Sequence, residues 1–342
     1  MPRSEMTFCT VVTRNQLGRC LTLHESLKAR QGHIVFYALV SDALRSEDSW
    51  IHSKLPFEVI YPSDINLRGF NQMKIYYDAF ELCNALRPSL IKFLMLSRNK
   101  KKVIYLDADM YVTSDFREIK KALEKYSFCL TPHITQPYPL DGMLPDDFTL
   151  FTYGIYNSGF MAFRRDKISL EILDFLIKRL RLYCWNDPPW IFVDQKWLEL
   201  VASLYQPYLK QIVHPGYNIG YWNIHERKLR WGANGLFVNG EKAVCFHFSG
   251  FDPSHPEYLT LRGSRPGQPK PRMVIRQGRR FHNRKNTALA RLIKEYAERL
   301  KQHSAHWPKA YRYSKNNGVS ITKRQRLLYY ASRQRLNRLL RE

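Results

Sequence analysis

The segment from Val103 to Val112 is an apolar run that is interrupted by two aspartates, Asp107 and Asp109. The run is typical of a buried strand, and the aspartates stand where that strand would reach the surface. In an extended chain, residues two apart point to the same side, so the two carboxylates would face one site. Such a pair can hold a hard divalent cation, and the cation can hold a diphosphate. The segment therefore predicts a metal site at the end of a core strand; the alternative is an exposed turn.

The order of the predicted elements indicates the fold class. Apolar strand patterns cover residues 6–13, 33–40 and 57–61, and helical spacing covers 20–30, 73–86 and 89–96, with a break at Pro88. Strands that alternate with helices are typical of a parallel α/β sheet. Because ligands bind such sheets at the carboxyl ends of the strands, we expect Thr13, Asp42 and Asp107 at one edge.

The pattern is more mixed after Asp109. Further strands are predicted at 125–130, 153–163, 210–214 and 244–248, helices at 168–183 and 198–204, and a Pro-rich loop at 131–149. Residues 214–223 are dense in turn-forming and aromatic residues, which favours either a structural turn or a surface on which a sugar stacks.

Two common phosphate-binding loops are disfavoured. No Gly-x-Gly-x-x-Gly follows the first predicted strand, which disfavours a dinucleotide-binding fold. The stretch from Gly235 to Gly240 is spaced like a phosphate loop, but Glu241 stands where that motif requires lysine. A nucleotidyltransferase with a two-carboxylate metal site is also disfavoured, because the chain has no Gly-rich, basic N-terminal loop for a triphosphate.

The positive charge is concentrated in the last quarter of the chain. The 342 residues carry a formal net charge of +24, and residues 261–342 hold 23 Lys and Arg against 3 Asp and Glu. We therefore expect a nearly neutral catalytic domain at 1–260 and a basic region at 261–342. The excess charge predicts an anionic partner, which is a membrane surface, a polyanionic glycan or nucleic acid.

Two amphipathic helices are predicted within this basic region. A Gly-, Pro- and Arg-rich linker at 260–285 precedes helical patterns at 286–302 and 323–341. The apolar face of each helix is expected to dock on the core, to pair with another chain in a homo-oligomer, or to lie on an anionic membrane.

Cysteine spacing and hydropathy give an expected location. The six cysteines form no Cys-x-x-Cys motif, which favours free thiols in a reducing compartment. No apolar stretch reaches the roughly 18 residues that cross a bilayer. We expect a cytoplasmic protein that is peripheral on the cytoplasmic face of a membrane.

Several short segments, taken in order between about residues 5 and 253, match one enzyme family. They are Thr7–Thr13, Glu25–Leu27, Ala85–Arg87, Tyr105–Asp109, Tyr156–Gly159, Val193–Gln195 and His247–Gly250. Together they resemble nucleotide-sugar glycosyltransferases of the GT-A type, most closely the family 8-like group. The resemblance implies a GT-A fold with a mixed, mainly parallel sheet. It also implies transfer of a sugar, most often from a UDP-sugar, to a glycan or glycolipid acceptor.

The resemblance also implies a donor site and a metal site. Val12 and Thr13 would hold the nucleobase. Arg87 would contact the donor, and Lys92 is the alternative for this role. The structural interpretation of Arg87 is an exposed cation that caps a helix. Asp107 would face both the ribose and the metal. The predicted ligands of Mn²⁺ or Mg²⁺ are Asp107, Asp109 and His247. A neutral imidazole is a suitable third ligand for such an ion.

The remaining site residues surround the predicted sugar. Gly250 lets the backbone approach the phosphate, and Asn157 and Ser158 would contact the donor sugar. Asp194 and Gln195 are the catalytic candidates, with helix capping as the alternative for Asp194. Tyr217 and Trp222 are the acceptor candidates.

The stereochemical course stays open at this point. A retaining enzyme needs no strong base, and Gln195 would be a weak nucleophile; an inverting enzyme would use Asp194 as the base. The Asp-Gln pair favours retention. A competing hypothesis is a polyanion- or nucleic-acid-binding protein with an inert core, since Arg and Tyr alternate near Arg312. The co-occurrence of both aspartates, His247 and Asp194 argues against it, so nucleic acid is not the expected partner.

Overall fold

The computed structural model of the chain describes residues 6–141, 144–188, 190–256, 258–261, 287–304, 306–308 and 311–315. The strands are β1 Met6–Val12, β2 Val35–Val40, β3 Glu58–Ile60, β4 Lys102–Leu106, β5 Met110–Val112, β6 Phe128–Pro132, β7 Tyr156–Arg164, β8 Asn186–Asp187, β9 Ile191–Phe192, β10 Leu209–Gln211, β11 Leu229–Gly232, β12 Gly235–Val238, β13 Glu241–Lys242 and β14 Cys245–His247. The helices are α1 Leu17–Gln31, α2 Arg45–Asp48, α3 Trp50–Lys54, α4 Pro62–Ile65, α5 Phe70–Tyr76, α6 Ala79–Ser97, α7 Arg117–Lys125, α8 Asp147–Tyr153, α9 Lys167–Tyr183, α10 Gln195–Leu204 and α11 Thr287–Ser304.

A seven-stranded sheet forms the centre of the molecule, in the order β10-β6-β7-β4-β1-β2-β3. Four of the six pairings are parallel, and β7 runs antiparallel between β4 and β6. The predicted α/β class with a mixed, mainly parallel sheet is thus confirmed. Because β7 is antiparallel to β4, its first residues lie beside the last residues of β4, where Leu106 is opposite Phe160.

A short two-stranded sheet extends the carboxyl end of β4. Strand β5 pairs antiparallel with β14, and His247 lies opposite Met110. The backbone N–H of Phe248 also donates a hydrogen bond of 2.9 Å to the carbonyl of Asp109. This pairing brings two segments together that are about 140 residues apart in the sequence, and it places His247 next to the aspartates.

Helix α6 corrects the break that was predicted at Pro88. The helix runs without interruption from Ala79 to Ser97 and includes that proline. It begins instead at Asp78, whose carboxylate accepts from the Glu81 N–H while the Glu81 carboxylate accepts from the Asp78 N–H. Proline removes one helical hydrogen bond, but most of the helix is buried between the sheet and α9, and that burial keeps it continuous.

Two other predicted boundaries also move. The strand expected at 125–130 is found at Phe128–Pro132, and the end of the loop expected at 131–149 belongs to α8, Asp147–Tyr153. Helix α8 begins at the cap residue Asp146, whose carboxylate accepts from the Thr149 N–H at 3.0 Å. An aspartate followed three residues later by a hydroxyl or carboxylate is a start signal that the sequence already contains.

Helix α11 packs on the core. Its apolar residues Leu289, Leu292, Ile293, Tyr296 and Leu300 are buried in one cluster with residues of β5, β12 and β14. The Tyr296 ring stacks on Phe248 at a centroid distance of 4.0 Å. Of the alternatives for this apolar face, docking on the core is therefore the one observed. Most of the predicted linker at 260–285 and the whole predicted helix at 323–341 lie outside the described residues.

The six cysteines are free thiols, and five of them are buried. Burial raises the pKa of the Cys129 thiol to about 12, which makes it a poor nucleophile near neutral pH. Within the described part of the chain, no helix is both long and apolar enough to cross a bilayer.

Candidate active site

A cavity of about 810 Å³ opens at the carboxyl ends of β1 and β4 and the beginning of β7. Most of the residues predicted for the site line this cavity: Val12, Thr13, Arg87, Asp107, Asp109, Asn157, Ser158, Gln195, Trp222, His247 and Gly250. The structure does not bring Asp194 or Tyr217 to its surface.

Three potential metal ligands meet in this cavity. One ligand atom each from Asp107, Asp109 and His247 lies within 4.8 Å of the other two. The His247 Nε2 atom is 3.1 Å from Asp109 Oδ1 and 3.7 Å from Asp107 Oδ2. The carboxylates come from the loop after β4, and the imidazole comes from the end of β14.

Hydrogen bonds fix the orientation of the His247 ring. The Asn218 amide nitrogen donates to Thr131 Oγ1 at 2.7 Å and to Asn157 Oδ1 at 3.0 Å, so the Asn218 oxygen faces His247 Nδ1 at 3.2 Å. His247 Nδ1 must then carry the proton that it donates. The Nε2 atom then faces the carboxylate of Asp109, and its lone pair is the one that could bind a metal ion. The residues therefore fit a divalent metal ion.

Gly159 makes room for this arrangement. A Cβ atom at this position would lie 2.8 Å from Asp107 Oδ2 and 2.9 Å from Asn157 Oδ1, and closer still to His247 Cε1. Any side chain would therefore push the carboxylate and the imidazole apart. Glycine is required at position 159 because the side chains of Asp107 and His247 approach its backbone closely, and not because of its backbone angles.

Arg87 is the centre of a buried polar network behind the metal ligands. Its guanidinium donates to Asp107 Oδ1 at 2.5 Å, to the Asp194 carboxylate at 2.9 and 3.1 Å, and to Ser158 Oγ at 2.7 Å. Its Nε donates to the Tyr105 hydroxyl, which itself donates to Asp107 Oδ1 at 2.7 Å. Arg87 is only 4% exposed, so it is not a surface capping cation.

Lys92, the alternative to Arg87, points elsewhere. Its ammonium pairs with Asp174 of α9 at 2.5 Å, and it does not line the cavity. Burial acts to lower the pKa of Arg87, but the adjacent carboxylates outweigh burial and raise that pKa well above its usual value. The guanidinium therefore remains charged and holds Asp107 in place.

Asp194 lies at the start of α10 but does not cap it. Its carboxylate makes no hydrogen bond to the first turn and accepts instead from Ser158 Oγ at 2.9 Å and from Arg87. Burial raises the pKa of Asp194, while Arg87 and Ser158 oppose that effect. The preceding Val193 has a φ of 38°, a strained conformation for a β-branched residue. This strain turns the Asp-Gln pair towards the network.

Gln195 is held at both ends of its amide. Its nitrogen donates to the Tyr153 carbonyl at 2.7 Å, and its oxygen accepts from the Ser158 N–H at 3.2 Å. The Asn157 amide nitrogen also lies 3.4 Å from that oxygen. Asn157, Ser158 and Gln195 thus form one rigid wall of the cavity.

The two acceptor candidates have different places. Trp222 lines the cavity, and its ring meets those of His133 and His247 edge-on at 5.3 and 5.1 Å. Tyr217 is 3% exposed and packs in the core against Phe116 and Phe160. In that position Tyr217 is part of a structural aromatic turn and cannot stack on a sugar.

The loop after β1 forms another part of the cavity wall. Thr13 Oγ1 donates to Asn15 Oδ1 at 2.5 Å, and both residues line the cavity. Asp42, which was expected at this edge, is buried instead: its carboxylate accepts from the backbone N–H groups of Arg14 and Arg312 at 2.7 and 2.9 Å. Asp42 therefore supports the loop and does not face the cavity.

Several lining or supporting residues were not predicted as site residues from the sequence, among them His133, Asn218 and Arg19. His133 follows β6, so the rule about strand ends would have found it. Burial is the main cause that lowers the pKa of His133 to about 4, and the ring is neutral near pH 7. Asn218 and Arg19 carry no comparable sequence signal, because they reach the site only through packing of distant segments.

Comparison with known proteins gives distant similarities. No protein family model matches the chain. The chain is 24% identical over 257 residues to YfnF, an uncharacterized protein of Bacillus subtilis strain 168. The matched region covers 71% of this chain and 81% of that protein.

Two solved structures are also similar at low identity. One is a glycosyltransferase involved in the glycosylation of the major capsid of PBCV-1, with 13% identity, a TM-score of 0.43, and coverage of 72% of this chain and 94% of that one. The other is the galactosyltransferase LgtC in complex with donor and acceptor sugar analogs, with 12% identity, a TM-score of 0.44, and coverage of 86% and 95%. An activity for this chain has to rest on the geometry of its own cavity.

Proposed function

We propose that this protein is a metal-dependent glycosyltransferase of the GT-A type that uses a nucleotide-diphosphate sugar, with UDP-sugars as the first candidates. The observation that carries the proposal is the meeting of Asp107, Asp109 and His247 within 4.8 Å inside a deep cavity. A volume of about 810 Å³ is in the range of roughly 300–1,000 Å³ that small-molecule sites occupy.

Asp107, Asp109 and His247 would hold Mn²⁺ or Mg²⁺. When bound, the ion supplies Lewis-acid stabilisation of the charge that develops on a diphosphate leaving group. Two carboxylates with one imidazole suit Mn²⁺ better than Mg²⁺, which prefers oxygen ligands alone.

The residues of the chain would divide the donor between them. Thr13 and Asn15 present a hydroxyl and an amide at the loop after β1, where a nucleobase needs polar partners. Arg87 holds Asp107 in the position of a ligand. Asn157 and Ser158 stand on the wall beside Gln195, where the sugar would lie.

Retention is the stereochemical course that this arrangement supports. Among the described residues that line the cavity, Asp107 and Asp109 are the only carboxylates, and both belong to the metal cluster. Asp194, the base expected for inversion, is 2% exposed and engaged by Arg87 and Ser158. His133 accepts protons poorly because its pKa is lowered to about 4. We infer that Gln195, which lines the cavity, is the residue beside the reacting carbon, and that Asp194 positions Arg87.

The acceptor is proposed to be a glycan or a glycolipid. Tyr153, Tyr221 and Trp222 contribute aromatic rings to the cavity wall, and such rings stack well on sugar faces. Nothing in the described residues specifically favours the competing binding-protein hypothesis. The grouping of Asp107, Asp109 and His247 inside the cavity argues against a catalytically inert core.

Attachment to an anionic membrane remains a proposal for the end of the chain. Residues 316–342 contain seven Lys and Arg, and each basic residue near such a surface contributes about 1 kcal/mol. We expect deletion of residues 316–342 to weaken co-sedimentation with vesicles of anionic lipid, because residues 261–315 keep 16 of the 23 Lys and Arg of the basic region. Unchanged co-sedimentation would refute attachment through residues 316–342. The deletion leaves α11 in place.

The function is tested by titrating UDP-, GDP-, CDP- and dTDP-sugars calorimetrically into the full chain, with and without Mn²⁺. We expect one nucleotide to bind only when Mn²⁺ is present, and Asp109→Ala to abolish that binding. Asp174→Ala is the matched control, because it removes a surface carboxylate outside the cavity. Binding of none of the four nucleotides would refute the proposal.

A further inference from the structure

The side chains around Asp107, Asp109 and His247 give the cavity little net positive charge with which to bind an anionic donor. Among the described residues that line it, only Arg19 and Arg87 carry a permanent positive charge. Arg87 is already shared between Asp107 and Asp194. Arg87 and the carboxylates of Asp107, Asp109 and Asp194 carry two net negative charges. A divalent ion on Asp107 and Asp109 would bring this set to a net charge of zero. A nucleotide sugar carries two negative charges on its diphosphate, so a further cation beside the cluster would strengthen its binding.

Arg19 is that further cation by position and by charge. It projects from α1 and lines the cavity together with Asp109, His247 and Gly250. Its guanidinium donates to the Phe251 carbonyl at 2.8 Å, and Arg19 forms no ion pair with any described residue. One end of the guanidinium is therefore anchored on a neutral group, and no carboxylate in the described part of the chain cancels its charge.

Helix α11 completes the surroundings of this arginine. Tyr296 is fully buried and stacks on Phe248, one residue after His247. Burial is the main cause that raises the pKa of the Tyr296 hydroxyl; the Arg19 guanidinium opposes this effect, and Asp109 adds to it. This buried hydroxyl has no hydrogen-bond partner within the described part of the chain.

The position of α11 is itself well defined. The helix crosses α1 closely at Gly18, where an added Cβ would lie 2.9 Å from the His303 carbonyl. Tyr111 of β5 donates to Glu295 at 2.5 Å, and His303 pairs with Glu25 at 2.8 Å. These contacts leave Tyr296 little freedom to move away from the cavity.

We propose that Arg19 binds the diphosphate of the donor beside the Asp107–Asp109–His247 cluster, and that the buried Tyr296 hydroxyl of α11, which has no hydrogen-bond partner among the described residues, positions the guanidinium when the diphosphate is bound. This inference rests on the proposed function and assigns a part of the donor site to a helix that follows the basic linker in the sequence. Arginine suits the task because its planar guanidinium can donate two parallel hydrogen bonds to phosphate oxygens.

The test compares nucleoside diphosphate and free nucleoside in calorimetric titrations with Mn²⁺, using UDP, GDP, CDP and dTDP and the corresponding nucleosides. Loss of a hydrogen-bonded charge pair predicts that Arg19→Met weakens diphosphate binding roughly 10- to 100-fold. Nucleoside binding should not change, because the proposed base site is formed by Thr13 and Asn15. Tyr296→Phe, which keeps the ring stacked on Phe248, should weaken diphosphate binding several-fold, and Arg19→Lys should recover part of the loss.

Arg299→Met is the matched control, because Arg299 lies on the same helix interface, near Glu25 and Glu295, and outside the cavity. It should bind the diphosphate as the wild type does. An Arg19→Met protein that binds the diphosphate as tightly as the wild type overturns this inference and leaves the proposed function intact. An equal loss for nucleoside and diphosphate would show general damage and also overturn it. A wild type that binds none of the four diphosphates overturns both proposals.

Discussion

Substitution of Gly159 by alanine gives a sharp test of the metal cluster. The new Cβ would lie 2.8 Å from Asp107 Oδ2 and still closer to His247 Cε1. Unstrained contacts to carbon are about 3.5–4.0 Å, so the imidazole has to retreat by about 1 Å. Metal ligands tolerate errors of only about 0.2 Å. We therefore expect Mn²⁺ affinity to fall by about 100-fold or more, while overpacking costs about 1–3 kcal/mol of unfolding free energy.

The assay follows free Mn²⁺ by electron paramagnetic resonance as protein is added, with a thermal melt of each variant. Gly32→Ala is the matched control: no atom lies within 4 Å of its added Cβ, but its φ is +72°. That backbone strain should lower stability by about 1 kcal/mol and leave Mn²⁺ affinity unchanged. If Gly159→Ala binds Mn²⁺ as tightly as the wild type does, the three residues do not form the metal site.

Two further changes test the histidines. Asn218→Ala removes the oxygen that accepts from His247 Nδ1, and we expect Mn²⁺ affinity to fall about 10- to 100-fold. Asn66→Ala also replaces an asparagine with positive φ and controls for backbone strain. Equal Mn²⁺ affinities in the two variants would contradict the assigned ring orientation. Burial lowers the pKa of His24 to about 4, so between about pH 6.5 and pH 4 the unfolded chain binds a proton that the folded chain refuses, and stability falls as pH falls, by up to about 3 kcal/mol. Denaturant titrations at pH 7 and pH 4.5 should show a smaller loss for His24→Leu than for the wild type, with the exposed His52→Leu behaving as the wild type; equal losses in all three would refute this reasoning.

The strand ends were predictable because they depend on local patterns. An apolar run before Asp107 and a short apolar run before His247 each mark the end of a strand, and the cavity lies at those ends. The pairing of β5 with β14 was not predictable from either run, because a register between distant strands depends on the whole sheet.

The errors have a common physical cause, which is that packing outweighs local preference. Pro88 is a strong helix breaker in isolation, yet α6 continues through it because most of the helix is buried. Tyr217 stands in a turn that is equally suited to a binding surface or a core contact, and only packing on Phe116 and Phe160 decides between them. Such choices depend on neighbours that the local sequence does not name.

The predicted division of the chain at residue 260 stays a prediction, and one helix beyond it packs on the core. Composition changes sharply there, and charge alone separates a neutral core from a basic extension. Yet α11 buries a row of apolar residues on β5, β12 and β14, and it carries a tyrosine that lies next to Arg19. An extension that merely tethered the protein to a surface would not need an aromatic ring stacked on Phe248, one residue from His247. We therefore propose that the catalytic unit includes residues 287–304, and that the anionic partner of the basic region is contacted by residues outside this helix's buried face.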